Sequence, residues 1–147
     1  MRGFKVCKGY ENSDITLPKR GTKFSAGYDI ESAEDVVIEP GCMVMIKTGI
    51  KAYMQEDEVL KVYPRSSIGI KKNLMMANNV GIIDCDYFEN EKNDGHIHVA
   101  LYNFGTKSQY ISKHERIAQG IFCKYLTVSD EEEIMTIRSG GFGSTNN

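Results

Sequence analysis

Short β-prone runs punctuated by turn residues fill this chain, and no segment sustains the 3.6-residue apolar repeat of a long helix. Val36-Val37-Ile38 is closed by Glu39-Pro40-Gly41, a turn-forming tripeptide. Residues 43–46 and 50–54 are apolar-rich and broken at Lys47-Thr48-Gly49. Val59, Leu60, Val62 and Tyr63 lead into Pro64, which has no N–H for a ladder and so ends the strand. Ile97, Val99 and Leu101 alternate with His96, His98 and Tyr102, the period expected of a half-buried strand. Ile117 and residues 120–125 give another strand, and only residues 66–74 read as helical, for about two turns. Many short strands with Gly-rich turns bury their apolar faces by stacking sheets or by closing one. An all-β fold follows, a distorted jelly-roll barrel or sandwich with one short helix. No repeat or boundary divides the chain, so one domain is expected over residues 1–147, with 136–147 a mobile C-terminal arm.

The formal net charge of −2 argues against binding to a nucleic-acid polymer or an anionic membrane. No apolar run reaches membrane-spanning length and nothing at the N-terminus resembles a signal peptide, so a soluble, cytoplasmic protein is expected. Cys7, Cys42, Cys85 and Cys123 are scattered without a Cys-x-x-Cys pair and read as reduced, mostly structural thiols.

Five polar constellations stand out against this apolar framework. The last ten residues, Arg138-Ser-Gly-Gly-Phe-Gly-Ser-Thr-Asn-Asn, combine a guanidinium, three glycines, three hydroxyls and one aromatic face. Such a set can wrap a phosphate chain beside a base, although a Gly/Ser-rich terminus is ordinarily only a disordered tail. Pro64-Arg65-Ser66-Ser67 places a cation and two serines where the helix begins. That is either an anion site or an ordinary serine cap. In Asn78-Asn79-Val80-Gly81-Ile82-Ile83-Asp84-Cys85-Asp86-Tyr87, the two aspartates share one face if the segment is extended. Asp84 follows three weakly polar residues and is placed to orient or deprotonate a water, while a turn-forming aspartate pair is the ordinary alternative. Asp29 within Ala26-Gly27-Tyr28-Asp29-Ile30, and Arg116 and Gln119 within Glu115-Arg116-Ile117-Ala118-Gln119, read by themselves as surface decoration and a salt-bridged edge. His96 and His98 form a His-x-His pair with no evident third ligand, which argues against zinc.

In order along the chain, AGYDI, PRSSIGIK, NNVGIIDCDY, ERIAQGIF and RSGGFGSTN resemble the motifs of the trimeric dUTPase family, the deoxyuridine 5′-triphosphate nucleotidohydrolases. The resemblance runs from about residue 21 to the C-terminus. It implies hydrolysis of dUTP to dUMP and pyrophosphate, with Asp84 activating water against the α-phosphorus. It also implies a Mg2+ whose hydration shell Asp29 contacts through water. Arg65, Ser66, Ser67, Gln119, Arg138, Gly143, Ser144 and Thr145 match phosphate binders, and Phe142 matches the aromatic lid over uracil. Asn78, Gly81, Ile82 and Ile83 match the hairpin that reads the base, and Tyr87 the ring under the deoxyribose that leaves no room for a 2′-hydroxyl. The family's active sites form between three subunits, so a homotrimer is implied.

Three departures mark this chain, one of them that the sequence ends in Asn146-Asn147 without a basic residue. Residues 88–94 intervene where the family continues with a short x-Gly-Glu, and their hydrophilicity predicts an exposed loop tip. The spacing from Arg138 to the glycines is short. A dCTP deaminase of the same fold and a nucleotide-gated regulatory module with a protein partner are the alternative functions, the second motivated by the expected exposure of 88–94.

Overall fold

The computed structural model describes residues 1–143. The chain runs through strands Gly3–Val6 (β1), Lys19–Arg20 (β2), Tyr28–Glu31 (β3), Val36–Ile38 (β4), Met43–Lys47 (β5), Ile50–Tyr53 (β6) and Glu58–Pro64 (β7). The helix Ser66–Lys72 (α1) follows, then Leu74–Met76 (β8), Gly81–Asp84 (β9), His98–Asn103 (β10), Gln109–Ile111 (β11) and Arg116–Lys124 (β12). The result is a jelly-roll-like β fold with one short helix; among the described residues no sheet closes into a barrel. The five-stranded sheet has the order β2-β3-β12-β7-β9, and a three-stranded sheet the order β5-β10-β8. Two further pairs, β1-β6 and β11-β4, flank them.

The core between the sheets is aliphatic: Ile30, Ile38, Ile46, Leu60, Val62, Leu74, Val99, Leu101, Ile111 and Ile117 are all buried. Branched side chains pack well on a pleated surface, which is why these runs are strands despite their shortness. Pro64 ends β7 as expected.

Three local expectations are corrected. The helix stops at Lys72 rather than at Leu74: Asn73 adopts the left-handed conformation (φ 53°) and its N–H bonds the Ile68 carbonyl, releasing Leu74 into β8. The strand carrying Ile97, Val99 and Leu101 is covered on both faces at its start, since His96 and Ala100 are buried too. Residues 78–83 do not form a paired hairpin. β8 pairs with β10 and β9 with β7, so the turn at Asn78 and Asn79 carries the chain from one sheet to the other. The gap left where the sheets part is the cavity described next.

Candidate functional site

A cavity of about 240 Å³ opens between the two sheets. Its walls are Met76 and Asn78 before the turn, Gly81, Ile82, Ile83 and Asp84 of β9, Val62 of β7, Tyr87, Ile97 and His98. The C-terminal arm returns to close one side with Arg138, Gly141, Phe142 and Gly143. β9 is the edge strand of its sheet, so the backbone groups of Gly81–Asp84 that do not pair with β7 face this opening.

Asp84 and Asp86 meet one cation. Arg138 donates from Nη2 to Asp84 Oδ2 (2.5 Å), from Nε to Asp86 Oδ1 (3.3 Å) and from its backbone N–H to Asp86 Oδ2 (3.0 Å). The two aspartates are not both on an extended strand: β9 ends at Asp84 and Cys85–Tyr87 is a single 3₁₀ turn. They converge because the turn swings Asp86 back toward the arm.

Tyr87 forms a buried wall of the cavity, 6% exposed. Its hydroxyl donates to the His96 carbonyl (2.7 Å) and accepts from Asn93 Nδ2 (2.8 Å). Burial raises its proton affinity, and the Asn93 hydrogen bond partly offsets that. Asn93 belongs to residues 88–94, expected to be an exposed tip; Glu89, Glu91 and Lys92 are exposed, but the rest of the segment turns inward. Asn90 is buried, Phe88 packs edge-on against Tyr53 (5.9 Å), and Asp94 and Glu89 bind the buried ammonium of Lys51 at 2.9 Å each. Burial alone would lower the proton affinity of Lys51, but its hydrogen bonds to Asp94 and Glu89 outweigh that and raise it. Asn90 and Asn93 turn inward because the backbone, turned at Glu89 (φ 54°) and Asp94 (φ 60°), needs partners for its own N–H groups.

A second cluster lies at the far end of β7. Asp29 Oδ1 accepts from Arg65 Nε (3.1 Å) and Oδ2 from Arg116 Nη1 (3.3 Å). Gln119 sits beside Asp29 in register and donates to the Pro64 carbonyl (3.3 Å). Ser66 and Ser67 open α1 after Arg65, whose own side chain does not cap the helix. Lys71, Lys72 and Arg116 join Arg65 at this corner, where Glu115 binds Lys72 (2.7 Å). Asp84 pairs with Val59 and Gly81 with Val62, so Asp84 lies six strand residues from Arg65, about 20 Å.

The expected residues therefore fall into two groups. Asn78, Gly81, Ile82, Ile83, Asp84, Tyr87, Arg138, Phe142 and Gly143 come together; Asp29, Arg65, Ser66, Ser67 and Gln119 gather elsewhere. Ser144 and Thr145 lie outside the described residues. Among the described residues no three His, Cys, Asp or Glu side chains are grouped to hold a metal, and all four cysteines are free.

Sequence reasoning passed over Asp86 as a partner of Arg138, Asn93 behind Tyr87, and His98 in the cavity wall. The His98 ring lies tilted against His96 (4.2 Å) and meets the Phe142 ring edge-on (6.2 Å). Burial, then the neighbouring His98, pushes His96 down to about 4, and burial also lowers His98, so both rings stay neutral. Neutrality suits their contacts: His96 Nε2 accepts the Gly49 N–H (2.9 Å), and His98 Nδ1 donates to the His96 carbonyl (3.2 Å). Alternation with Val99 and Leu101 was the one available hint.

Comparison with known proteins gives a consistent result. The dUTPase family model matches residues 13–146. The deoxyuridine 5′-triphosphate nucleotidohydrolase of Lactococcus lactis subsp. lactis is 49% identical over 146 residues, covering 99% of this chain and 97% of that protein. Its counterpart from Rickettsia massiliae is 38% identical over 144 residues, covering 94% and 93%. The crystal structure of the dUTPase from Streptococcus mutans matches with a TM-score of 0.82 at 41% identity, over 86% of this chain and 98% of that one.

Proposed function

The chain belongs to the dUTPase family, and from that premise we propose how its residues divide the hydrolysis of dUTP to dUMP and pyrophosphate. Asp84 orients a water and accepts its proton as the water oxygen bonds the α-phosphorus. The bond from that phosphorus to the bridging oxygen breaks, and pyrophosphate leaves. A carboxylate is a weak base, so alignment and charge neutralisation supply much of the rate. Arg138, paired with Asp84 and Asp86 in the free chain, turns its donors to phosphate oxygens when substrate enters. Asn78 and the free edge of Gly81, Ile82 and Ile83 read the uracil. A cytosine presents a donor where uracil presents an acceptor and leaves buried groups unpaired, while thymine's methyl overfills the wall. The Tyr87 ring lies under the deoxyribose and excludes a 2′-hydroxyl. Phe142 covers the base, and Gly143, Ser144 and Thr145 complete the phosphate cage as the arm, residues 136–147 of a single domain, closes.

One geometric fact supports a homotrimer with shared sites. Asp84 and Arg65 are about 20 Å apart along β7, much farther than one triphosphate reaches. In a closed cyclic trimer, Arg65, Ser66, Ser67, Gln119 and Asp29 of one subunit serve the cavity of its neighbour. Asp29, with both oxygens held by arginines, suits contact with a metal through water rather than direct ligation. Mg2+ fits that role because it keeps several waters and takes oxygens from the triphosphate, whose charge it neutralises when bound. Four free thiols support a cytoplasmic setting, and no helix among the described residues is long and apolar enough to cross a membrane. The alternatives are not favoured: no glutamate of the described residues lines the cavity to serve a deaminase, and of residues 88–94 only Glu89, Glu91 and Lys92 are exposed.

Two measurements test this. Pyrophosphate release with Mg2+ should be fast from dUTP and slow from dTTP, dCTP and UTP. Asp84→Asn and Arg65→Ala chains, each inactive alone, should recover activity when unfolded and refolded together, in about a quarter of sites for random mixing. No recovery in trimers shown to be mixed would refute the shared site.

A further inference from the structure

Residues 88–94 have no role in the reading above, yet two of their side chains, Asn90 and Asn93, bond Tyr87. We propose that this segment is a positioning element: Asn93, held by Asn90, fixes the Tyr87 phenol against the cavity and so sets the discrimination between deoxyribo- and ribonucleotide. The proposal rests on the reading that Tyr87 lies under the sugar.

The hydrogen bonds leave each amide only one orientation. Asn90 Nδ2 donates to the Tyr87 carbonyl (2.8 Å), and a carbonyl only accepts, so that atom is the nitrogen. The same Nδ2 donates to Asn93 Oδ1 (2.7 Å), and the Gly95 N–H donates to that oxygen too (3.1 Å). Asn93 must then present Nδ2 to the phenol, at 2.8 Å. The phenol's one hydrogen is committed to the His96 carbonyl (2.7 Å), so its oxygen has only lone pairs to offer Asn93, and the match is complete. Asn90 Oδ1 meanwhile accepts the N–H groups of Lys92 (3.1 Å) and Asn93 (3.2 Å), closing the turn.

The turn is itself anchored. Asp94 accepts the Lys8 N–H (2.8 Å) and the Lys51 ammonium, and Phe88 lies against Tyr53 and beneath Lys51 (5.2 Å). The force holding the phenol therefore reaches back to β6. A ring pinned at its hydroxyl cannot tilt away from an added substituent. Steric exclusion of a hydroxyl demands that rigidity, because apolar surface alone rejects one weakly.

The test compares kcat/KM for dUTP and UTP in four chains: natural, Asn93→Asp, Tyr87→Phe and Tyr87→Ala, each checked by thermal unfolding. Asn93→Asp keeps the Oδ1 acceptor for Asn90 and Gly95 but sets an oxygen against the phenol's lone pairs. The dUTP/UTP ratio should fall about tenfold in Asn93→Asp, the effect of losing one buried hydrogen bond. Tyr87→Phe should match it, Tyr87→Ala should fall further, and Asn93→Asp should add nothing in a Tyr87→Phe background. Should Asn93→Asp not fold, Asn93→Ala supplies the same readout. A lowered ratio in Tyr87→Ala with an unchanged ratio in the Asn93 variant overturns the positioning role, as does an equal loss on both substrates. An unchanged ratio in Tyr87→Ala overturns the sugar reading itself, and the positioning role with it.

Discussion

Replacing Gly141 with alanine should block the arm, and replacing Gly140 should not. A Cβ at Gly141 would stand 2.8 Å from Tyr87 Cε2 and 3.2 Å from its hydroxyl oxygen. Neither atom can retreat, because the ring is buried and its oxygen is held between the His96 carbonyl and Asn93. A Cβ at Gly140 comes closer still to its neighbour, 2.6 Å from Lys92 Cδ, but that atom belongs to an exposed, flexible stem that swings aside. Distance alone ranks Gly140 as the worse site; the rigidity of the neighbour reverses the order. Forcing a methyl into a packed contact costs about 1–3 kcal/mol, so Gly141→Ala should lower kcat/KM for dUTP roughly 5- to 150-fold. Gly140→Ala should stay within about threefold, as for surface changes. Pyrophosphate release gives the rates, and a chain ending at Ile137 sets the floor for an arm that cannot close. Urea unfolding should shift by no more than about 0.5 kcal/mol in either variant, since the arm buries little of the core. Equal losses in both variants, or a Gly141→Ala chain as fast as the natural one, would refute the argument.

Other outcomes follow from the same contacts. Asp84→Asn should reduce pyrophosphate release from dUTP by about 10²–10⁴-fold while leaving the fold intact, read by steady-state kinetics beside circular dichroism. Lys51→Met strands the Asp94 carboxylate, 14% exposed, and should destabilise the chain by about 3 kcal/mol in urea unfolding; Asp94→Asn on top should recover part of that. His96 holds its proton less tightly folded, near 4, than unfolded, near 6.5. Protons therefore favour the unfolded chain in that window, and Tm should fall as pH drops through it and level off below it. His96→Gln, which keeps an acceptor for the Gly49 N–H, should flatten the slope in a pH series of thermal melts.

Much of this molecule was legible from residue order. The strand runs, the end of β7 at Pro64 and the two-turn helix are local events, set by ring closure, branching and turn chemistry within a few residues. The five motifs named the family because each is a contiguous string. What failed to read were features whose partners are distant. The polar run 88–94 looks like a solvated tip to any local rule. Only the fold brings Lys51 and Tyr53 beneath it and so turns its asparagines and Asp94 inward. Asp84 and Asp86 needed the returning arm, 52 to 54 residues on, to become a pair around one guanidinium. The separation of Arg65 from Asp84 is likewise invisible in sequence, because it follows from antiparallel register: β9 meets β7 at Val59–Val62, away from the end where Arg65 emerges. Sequence by itself determined the chemistry these side chains can perform and the strands that carry them. Tertiary structure alone decided which of them meet, since hydrogen bonds and ion pairs depend on distance in space, and only sheet pairing and core burial set that distance.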